Sequence, residues 1–282
     1  MHLPPAARRI ALSCAALATT AVLGLTGCGA GGSDDTAEGG FTAEQRRRAD
    51  QLVSVFENGT TKIQYAYAEN LDDGRGVTAG RAGFTTNDGD ALQVVRAYTD
   101  QVPGNPLARF IPALERRADA DGPDAEGSDA VPDADFIAAW KKAATDPAFR
   151  EVQDAQVDER YFAPAARAAE KAGLSSPLAL AELYDASIQH GNGSDGDALP
   201  ALIERTTAKV GTPAEAGEKD WLDAFFDVRV HDLTHPVNSA TADEWRTSVD
   251  RVEALRRVAA SGNHDLEGPF TVKAFGSTYT IK

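Results

Sequence analysis

Cysteine is scarce in this chain, and basic residues are outnumbered by acidic ones. Its 282 residues include two cysteines, and 28 lysines and arginines stand against 43 aspartates and glutamates, for a formal net charge of −15. A protein of this sign repels nucleic acid and anionic membrane surfaces, so we exclude both as charge-driven partners and expect attraction to polycations. The sequence contains no G-x-S-x-G motif, which disfavours a serine hydrolase.

One long apolar run is present, at the N-terminus, and it has the form of a targeting segment. Arg8 and Arg9 precede the small, apolar residues 10–25, and the run ends in Leu-Thr-Gly-Cys at Cys28. This order resembles a bacterial lipoprotein signal, so we predict a signal peptide at residues 1–27 and lipidation of Cys28. An ordinary secretory peptide cut nearby is the alternative. Either way one cysteine at most would remain, which excludes an internal disulfide.

The residues after Cys28 indicate a tether followed by a helix. Residues 28–40 are rich in glycine, serine and acids, which predicts a flexible tether. Thr42 and Gln45 form a T-x-x-Q capping box, and the helix that follows should end at Asn58. We assign residues 41–282 to one domain with two lobes.

The rest of the chain predicts an α+β fold that is mainly α. Two strands, 63–68 and 77–86, should form a small antiparallel sheet, and helices should dominate from Asp88 onwards. Residues 119–135 are acidic and without periodicity, which predicts a surface loop or hinge. Residues 270–281 predict a short hairpin.

Polar groups are concentrated between residues 57 and 90. Glu57 ends the amphipathic helix, where partial desolvation would favour the protonated form that a general acid requires. Asp72 and Asp73 occupy a turn, and Thr78 follows. Two carboxylates on separate elements are what a glycosidase uses, although the same acids could also be a helix-end salt bridge and ordinary turn residues.

Several motifs in this order resemble glycoside hydrolase family 46, the chitosanases, which belong to the lysozyme-like superfamily. The resemblance spans residues 42–282. It is carried by FENGT from Phe56, DDGRGVT from Asp72, GFTTNDGD from Gly83, DERYF from Asp158, YDA from Tyr184, HG from His190 and LDAF from Leu222. It implies a two-lobed, mostly helical fold with a small antiparallel sheet at the substrate cleft. It also implies endo-hydrolysis of the β-1,4 bonds of chitosan with inversion and without a cofactor.

The resemblance implies three catalytic residues. Glu57 matches the general acid that protonates the leaving glycosidic oxygen, and Asp73 matches the general base. Thr78 matches the threonine that helps to hold the attacking water. A base on a glycine-flanked turn could close on the polymer after it binds.

The resemblance also implies residues around these three. Asp90 matches an acid that binds a glucosamine ammonium group, and Arg75 and His190 are further substrate-binding candidates; for Arg75 a structural role stays open. Asp158 and Arg229 match members of a buried charge network behind the acid, in which one further arginine has no clear counterpart. We predict no metal, because the H-x-x-x-H spacing of His231 and His235 lacks the glutamate of a metalloprotease.

The sequence thus predicts an extracellular, inverting endo-chitosanase, anchored to the outer face of the cell membrane only through lipid on Cys28. Its partner is the cationic polysaccharide chitosan, and we expect a monomer. Two alternatives remain. A lysozyme-like peptidoglycan hydrolase is disfavoured because peptidoglycan is anionic. A non-catalytic lipoprotein that binds chitosan oligosaccharides would have no need for Glu57, Asp73 and Thr78 together.

Overall fold

The structure is a computed structural model that describes residues 36–37, 40–72, 74–118, 133–237 and 242–282. The predicted signal peptide, Cys28, Asp73 and residues 119–132 of the predicted acidic loop lie outside the described residues. The described chain is mostly helical with small antiparallel sheets, as the sequence predicted. It divides into two compact units, with one boundary inside helix α1 (Ala43–Asn58), between Asp50 and Gln51.

The chain enters α1 through a short hairpin and a capping box. Strand β1 (Thr36–Ala37) pairs antiparallel with β2 (Phe41–Thr42). Most of the flexible tether predicted at residues 28–40 lies outside the described residues, and the tether stays a prediction. Gln45 N donates to Thr42 Oγ1 at 3.2 Å, and Thr42 N donates to Gln45 Oε1 at 2.8 Å. The predicted capping box is confirmed.

The first unit contains Gln51–Ala163 and carries a three-stranded antiparallel sheet in the order β3-β4-β5. Its elements after α1 are β3 (Ala68–Asn70), β4 (Val77–Ala79), β5 (Phe84–Thr85), α2 (Asp90–Gln101), a 3-10 turn (Ala108–Phe110), α3 (Ile111–Ala118), α4 (Asp133–Ala143), α5 (Pro147–Val157) and a π-helical segment (Asp158–Phe162).

Trp140 on α4 forms the centre of the core that supports this sheet. Its ring lies 6.4 Å from Phe84 of β5 and 4.9 Å from Phe149 of α5, measured between ring centroids. Trp140 Nε1 donates to Tyr65 O at 3.0 Å, and Gln153 Nε2 donates to the same carbonyl at 3.2 Å. The sheet and the chain that leads into it are therefore held against α4 and α5 by packing and by directed hydrogen bonds.

The second unit contains Pro164–Lys282 together with the described chain before Gln51. Its elements are α6 (Ala163–Ala172), α7 (Pro177–His190), α8 (Leu199–Val210), α9 (Pro213–Ala216), α10 (Glu218–Thr234), α11 (Ala242–Thr247), α12 (Val249–Ala260), β6 (Phe270–Ala274) and β7 (Ser277–Ile281).

Helix α7 is the buried helix of this unit. All its residues except Ile188 are buried, and Ser176 Oγ caps its first turn by accepting from Ala179 N at 3.3 Å. Tyr184 OH donates to Asp50 Oδ1 at 3.0 Å, which fixes the N-terminal half of α1 on α7. The C-terminal hairpin of β6 and β7 is confirmed.

Three of the predicted elements differ from those observed. The predicted strand 63–68 is wrong: β3 begins at Ala68, and the preceding backbone is turned towards the side chains of α4 and α5. Residues 77–86 form two strands rather than one bent strand, because Gly80 and Gly83 adopt positive φ and reverse the chain. The predicted acidic loop ends early, since α4 begins at Asp133.

Candidate active site

The turn between β3 and β4 is held in a constrained conformation. Asp72 has a φ of +53°, in the left-handed region that Asp and Asn adopt more readily than other non-glycine residues. Its backbone N donates to Asn70 Oδ1 at 2.8 Å, and Asn70 Nδ2 donates to Asp133 Oδ2 at 2.6 Å. The Asp72 side chain is exposed. Asp73 follows directly, outside the described residues, so its role stays a prediction.

Thr78 lies at the centre of the sheet. On β4 it pairs with Glu69 of β3 and with Thr85 of β5. Its side chain is fully buried, and its Oγ1 has no hydrogen-bond partner among the described residues. A buried hydroxyl left unpaired costs about 1–3 kcal/mol, so such a group calls for a functional or solvent partner. The Thr78 hydroxyl is therefore available to hold a water molecule.

Asp90, at the start of α2, keeps one carboxylate oxygen occupied and one available. Oδ1 accepts from Thr85 N at 2.7 Å, from Ala91 N at 2.8 Å and from Thr85 Oγ1 at 3.2 Å. Within the described chain Oδ2 has no hydrogen-bond partner, so it can accept from a cation. Burial raises the pKa of Asp90, and the backbone donors oppose that shift.

Glu57 lies in the last turn of α1, one residue before the helix ends. It is half-buried and follows Val55 and Phe56, which are buried. Gly59 N donates to Val55 O at 2.9 Å and terminates the helix just beyond it. The last turn of a helix fixes the backbone that carries this carboxyl, which suits a group that must donate a proton in a defined direction.

Arg75 is half-buried in the turn after Asp73, and its carbonyl oxygen accepts from Asn87 N at 3.2 Å. The structure thus shows a structural role for its backbone. The predicted substrate-binding role of its guanidinium stays a prediction.

Arg229 on α10 is the centre of a buried polar network in the second unit. Its Nη1 donates to Glu182 Oε1 at 2.8 Å, and its Nη2 donates to Asp185 Oδ2 and to Gln189 Oε1, each at 2.6 Å. Arg251 on α12 reaches the same carboxylate, with Nη2 donating to Asp185 Oδ1 at 2.6 Å. The network therefore connects α7, α10 and α12.

Burial and the two arginines act in opposite directions on the acids of this network. Burial raises the pKa of Glu182 to about 7, against the attraction of Arg229. Burial acts in the same direction on Asp185, but Arg251 and Arg229 together hold the pKa of that carboxyl below its ordinary value. Asp185 is therefore the permanent negative charge between two cations.

His190 belongs to this network, and its predicted role in substrate binding stays a prediction. The residue is 1% exposed, and Arg229 Nε donates to its Nε2 at 3.3 Å. Its Nδ1 then carries the proton and donates to Asp197 O at 3.0 Å. Burial first, and Arg229 second, hold the pKa of His190 well below its ordinary value. His190 is therefore a neutral, enclosed imidazole with both ring nitrogens engaged.

The membership of Asp158 in this network stays a prediction. Asp158 lies half-buried at the start of the π-helical segment of the first unit. Within the second unit, Asp185 forms ion pairs with both Arg229 and Arg251. Sequence reasoning missed Asp185 and Arg251 as members of a network. The available signal was a charged residue on the buried face of each helix: Arg251 lies one turn before Leu255 on α12, and Asp185 lies within the otherwise buried α7.

Replacing Asp185 with asparagine is expected to lower the free energy of unfolding by about 3–5 kcal/mol, because it leaves two buried arginines without their shared carboxylate. Urea unfolding at neutral pH measures the change. The matched control is Asp243→Asn, which removes an exposed ion pair with Arg246 and should leave stability unchanged within error. Equal stability of both variants would show that the network contributes nothing.

The described residues give no indication of a metal site or of a membrane span. Across them, no group of three or more His, Cys, Asp and Glu side chains is arranged to hold a metal ion. His231 and His235 stack at the end of α10 with ring centroids 4.8 Å apart. No helix in this part of the chain has the length and apolar character needed to cross a membrane.

Comparison with known proteins agrees with this fold. The sequence model of glycosyl hydrolase family 46 matches residues 51–270. The chain is 49% identical over 237 residues to a chitosanase of Bacillus subtilis (strain 168), covering 83% of this chain and 84% of that protein. It is 34% identical to a chitosanase of Streptomyces sp. (strain N174), covering 100% of this chain and 99% of that one.

Two solved structures are similar as well. A mutant chitosanase of Bacillus subtilis MY002, complexed with six GlcN units, has a TM-score of 0.77 at 48% identity and covers 86% of this chain and 100% of its own. A family 46 chitosanase of Gynuella sunshinyii, complexed with chitotetraose, has a TM-score of 0.76 at 46% identity and covers 86% and 99%. The family model and the relatives span most of the chain at high identity. The chain therefore belongs to glycosyl hydrolase family 46 and is a glycoside hydrolase of lysozyme-like fold.

Proposed function

We propose that this protein is an endo-chitosanase that hydrolyses β-1,4 bonds between glucosamine units with inversion. The observation that carries the proposal is the 48% identity, over the whole length of the other chain, to a chitosanase solved with six GlcN units. The unpaired hydroxyl of Thr78 supports a reaction in which one water molecule is held for attack.

The mechanism assigns one step to each of three side chains. Glu57 donates a proton to the glycosidic oxygen as the bond between C1 and that oxygen breaks. Asp73 accepts a proton from the water whose oxygen attacks C1 from the opposite face, and Thr78 Oγ1 holds that water. Inverting enzymes keep their carboxyls roughly 6.5–9.5 Å apart to make room for the water, and we expect such a spacing between Glu57 and Asp73.

Charge accounts for the choice of substrate. Chitosan carries ammonium groups, and a chain with a formal net charge of −15 attracts it over a long range. Asp90 Oδ2 would receive one of these ammonium groups, while Oδ1 stays fixed by the backbone of Thr85 and Ala91. An N-acetylated unit lacks the ammonium group that would bind Asp90, so the site prefers glucosamine. Arg75 would contact the sugar hydroxyls beside the turn.

The location follows from the N-terminal residues. We propose export by the segment 1–27 and anchoring at the outer face of the membrane through lipid on Cys28, with residues beyond it facing the polymer. The enzyme acts as a monomer and needs no cofactor.

The test is the viscosity of dissolved chitosan on addition of the purified protein. Endo-cleavage should lower viscosity long before reducing ends accumulate, and added salt should slow the reaction because it screens the attraction. Early proton NMR should show the α-anomer as the first product. N-acetylated chitin and peptidoglycan are the comparison substrates. Binding to chitosan without cleavage would favour a binding lipoprotein, and cleavage of peptidoglycan alone would favour a lysozyme-like activity; either result would contradict the proposal.

A further inference from the structure

The turn after β3 is held at its C-terminal side by a group of three side chains, which we name the Asn87 clamp: Thr86, Asn87 and Arg117. Asn87 Nδ2 donates to Gly74 O at 2.8 Å, and Asn87 N donates to Arg75 O at 3.2 Å. Two consecutive carbonyls immediately after position 73 are therefore fixed by one residue.

Arg117, near the end of α3, sets the orientation of the Asn87 amide. Its Nη1 donates to Asn87 Oδ1 at 2.8 Å and to Thr86 Oγ1 at 3.1 Å. The amide oxygen must face this cation, so the NH₂ group must face Gly74 O. Thr86 Oγ1 also accepts a hydrogen bond, at 3.0 Å, from the backbone N of Val77, which is the first residue of β4.

The clamp fits against a position where a side chain has no room. Gly76 has a φ of +74°, and a Cβ there would lie 2.3 Å from Thr86 Oγ1 and 2.8 Å from Asn87 Oδ1. The turn and the clamp are thus closely packed, and a small change in either moves the other.

We propose that Asn87, oriented by Arg117, is a positioning residue: it fixes the backbone of Gly74 and Arg75, directly after the proposed base Asp73, and so acts on hydrolysis through that base. The inference rests on the proposed function. It concerns a contact to backbone rather than to substrate, so its loss should lower kcat and leave KM little changed.

The sharpest variant is Asn87→Asp, which keeps size and the bond to Arg117 but replaces the NH₂ donor to Gly74 O with an acceptor. We expect kcat to fall between about 10-fold and about 100-fold, the scale of a misplacement near 1 Å. The melting temperature should stay close to that of the wild type, because the new carboxylate pairs with Arg117.

Two further variants separate positioning from stability. Arg117→Ala should lower kcat because the amide can rotate, and Arg117→Lys should recover part of the loss by restoring one donor. Arg96→Gln is the matched control. It removes an exposed arginine of α2 that binds Glu115 of α3 with an N–O distance of 2.6 Å, and it should leave kcat unchanged.

A double-mutant cycle tests whether the clamp acts through the base. In the Asp73→Asn background, Asn87→Asp should cost little more, because a base that is absent cannot be misplaced. The inference would be overturned if Asn87→Asp kept the kcat of the wild type. It would also be overturned if, in the double variant, the loss from Asn87→Asp added in full to the loss from Asp73→Asn. Either result would leave the proposed function intact. A wild-type protein that does not cleave chitosan would remove both.

Discussion

Glu57→Gln is expected to lower kcat on chitosan between about 10²-fold and about 10⁴-fold, the range that a positioned general acid contributes. Glutamine has the same shape and fits the last turn of α1 next to buried Phe56, but its amide has no acidic proton to give to the leaving oxygen. KM should change little, since the interaction lost is made in the transition state. The measurement is the initial rate of reducing-end formation.

Two comparisons establish that the loss is one of proton donation. Glu44 lies in the first turn of the same helix, and Arg48 Nη2 donates to its Oε2 at 3.2 Å. The control variant Glu44→Gln should leave kcat unchanged. A glucosamine oligomer with an aryl leaving group of low pKa should be cleaved by Glu57→Gln far better than chitosan, because such a group leaves without a proton. An equal loss on both substrates would argue against Glu57 as the acid.

Asp73→Asn is expected to have an effect of the same order, a loss of kcat between about 10²-fold and about 10⁴-fold, because asparagine cannot accept a proton from the water. Two aspartates stand next to each other in this turn, and the structure of Asp72 makes the choice between them testable. Asp72 is exposed, and its φ of +53° suits asparagine as well as aspartate.

Asp72→Asn is therefore the matched control, with the same change of charge one residue away and no cost in backbone conformation. It should retain nearly all of the activity. The reverse outcome, with activity lost in Asp72→Asn and kept in Asp73→Asn, would move the base to Asp72 and refute the assignment. Melting temperatures of both variants show whether the turn remains folded.

The first helix and its limits were predictable because its signals are local. The capping box of Thr42 and Gln45 lies within one turn, and the apolar stripe of α1 repeats every three or four residues. The position of Thr78 on a strand beside the turn was also predictable, since the Asp-Gly and Gly-rich segments on both sides mark reversals of the chain.

The strand predicted at 63–68 shows where such signals fail. Alternation in that run is real, but Tyr65 O accepts from Trp140 and Gln153 instead of from a neighbouring strand. Those donors are 75 and 88 positions away in the sequence, and nothing local indicates that they compete for the carbonyl.

The sequence by itself determined the mainly helical α+β class, the order of the elements and the cluster of acids and hydroxyls between Glu57 and Asp90, because periodicity, caps and turn residues act over a few positions. Only the tertiary structure decided which charges meet. Asp185 bridges Arg229 and Arg251, His190 is enclosed beside Arg229, and Asn87 reaches back to Gly74. These contacts depend on how the helices pack, because packing brings together residues that are distant in the sequence. A buried charge without a partner costs a large free energy, so the folded structure pairs each buried charge with an opposite one.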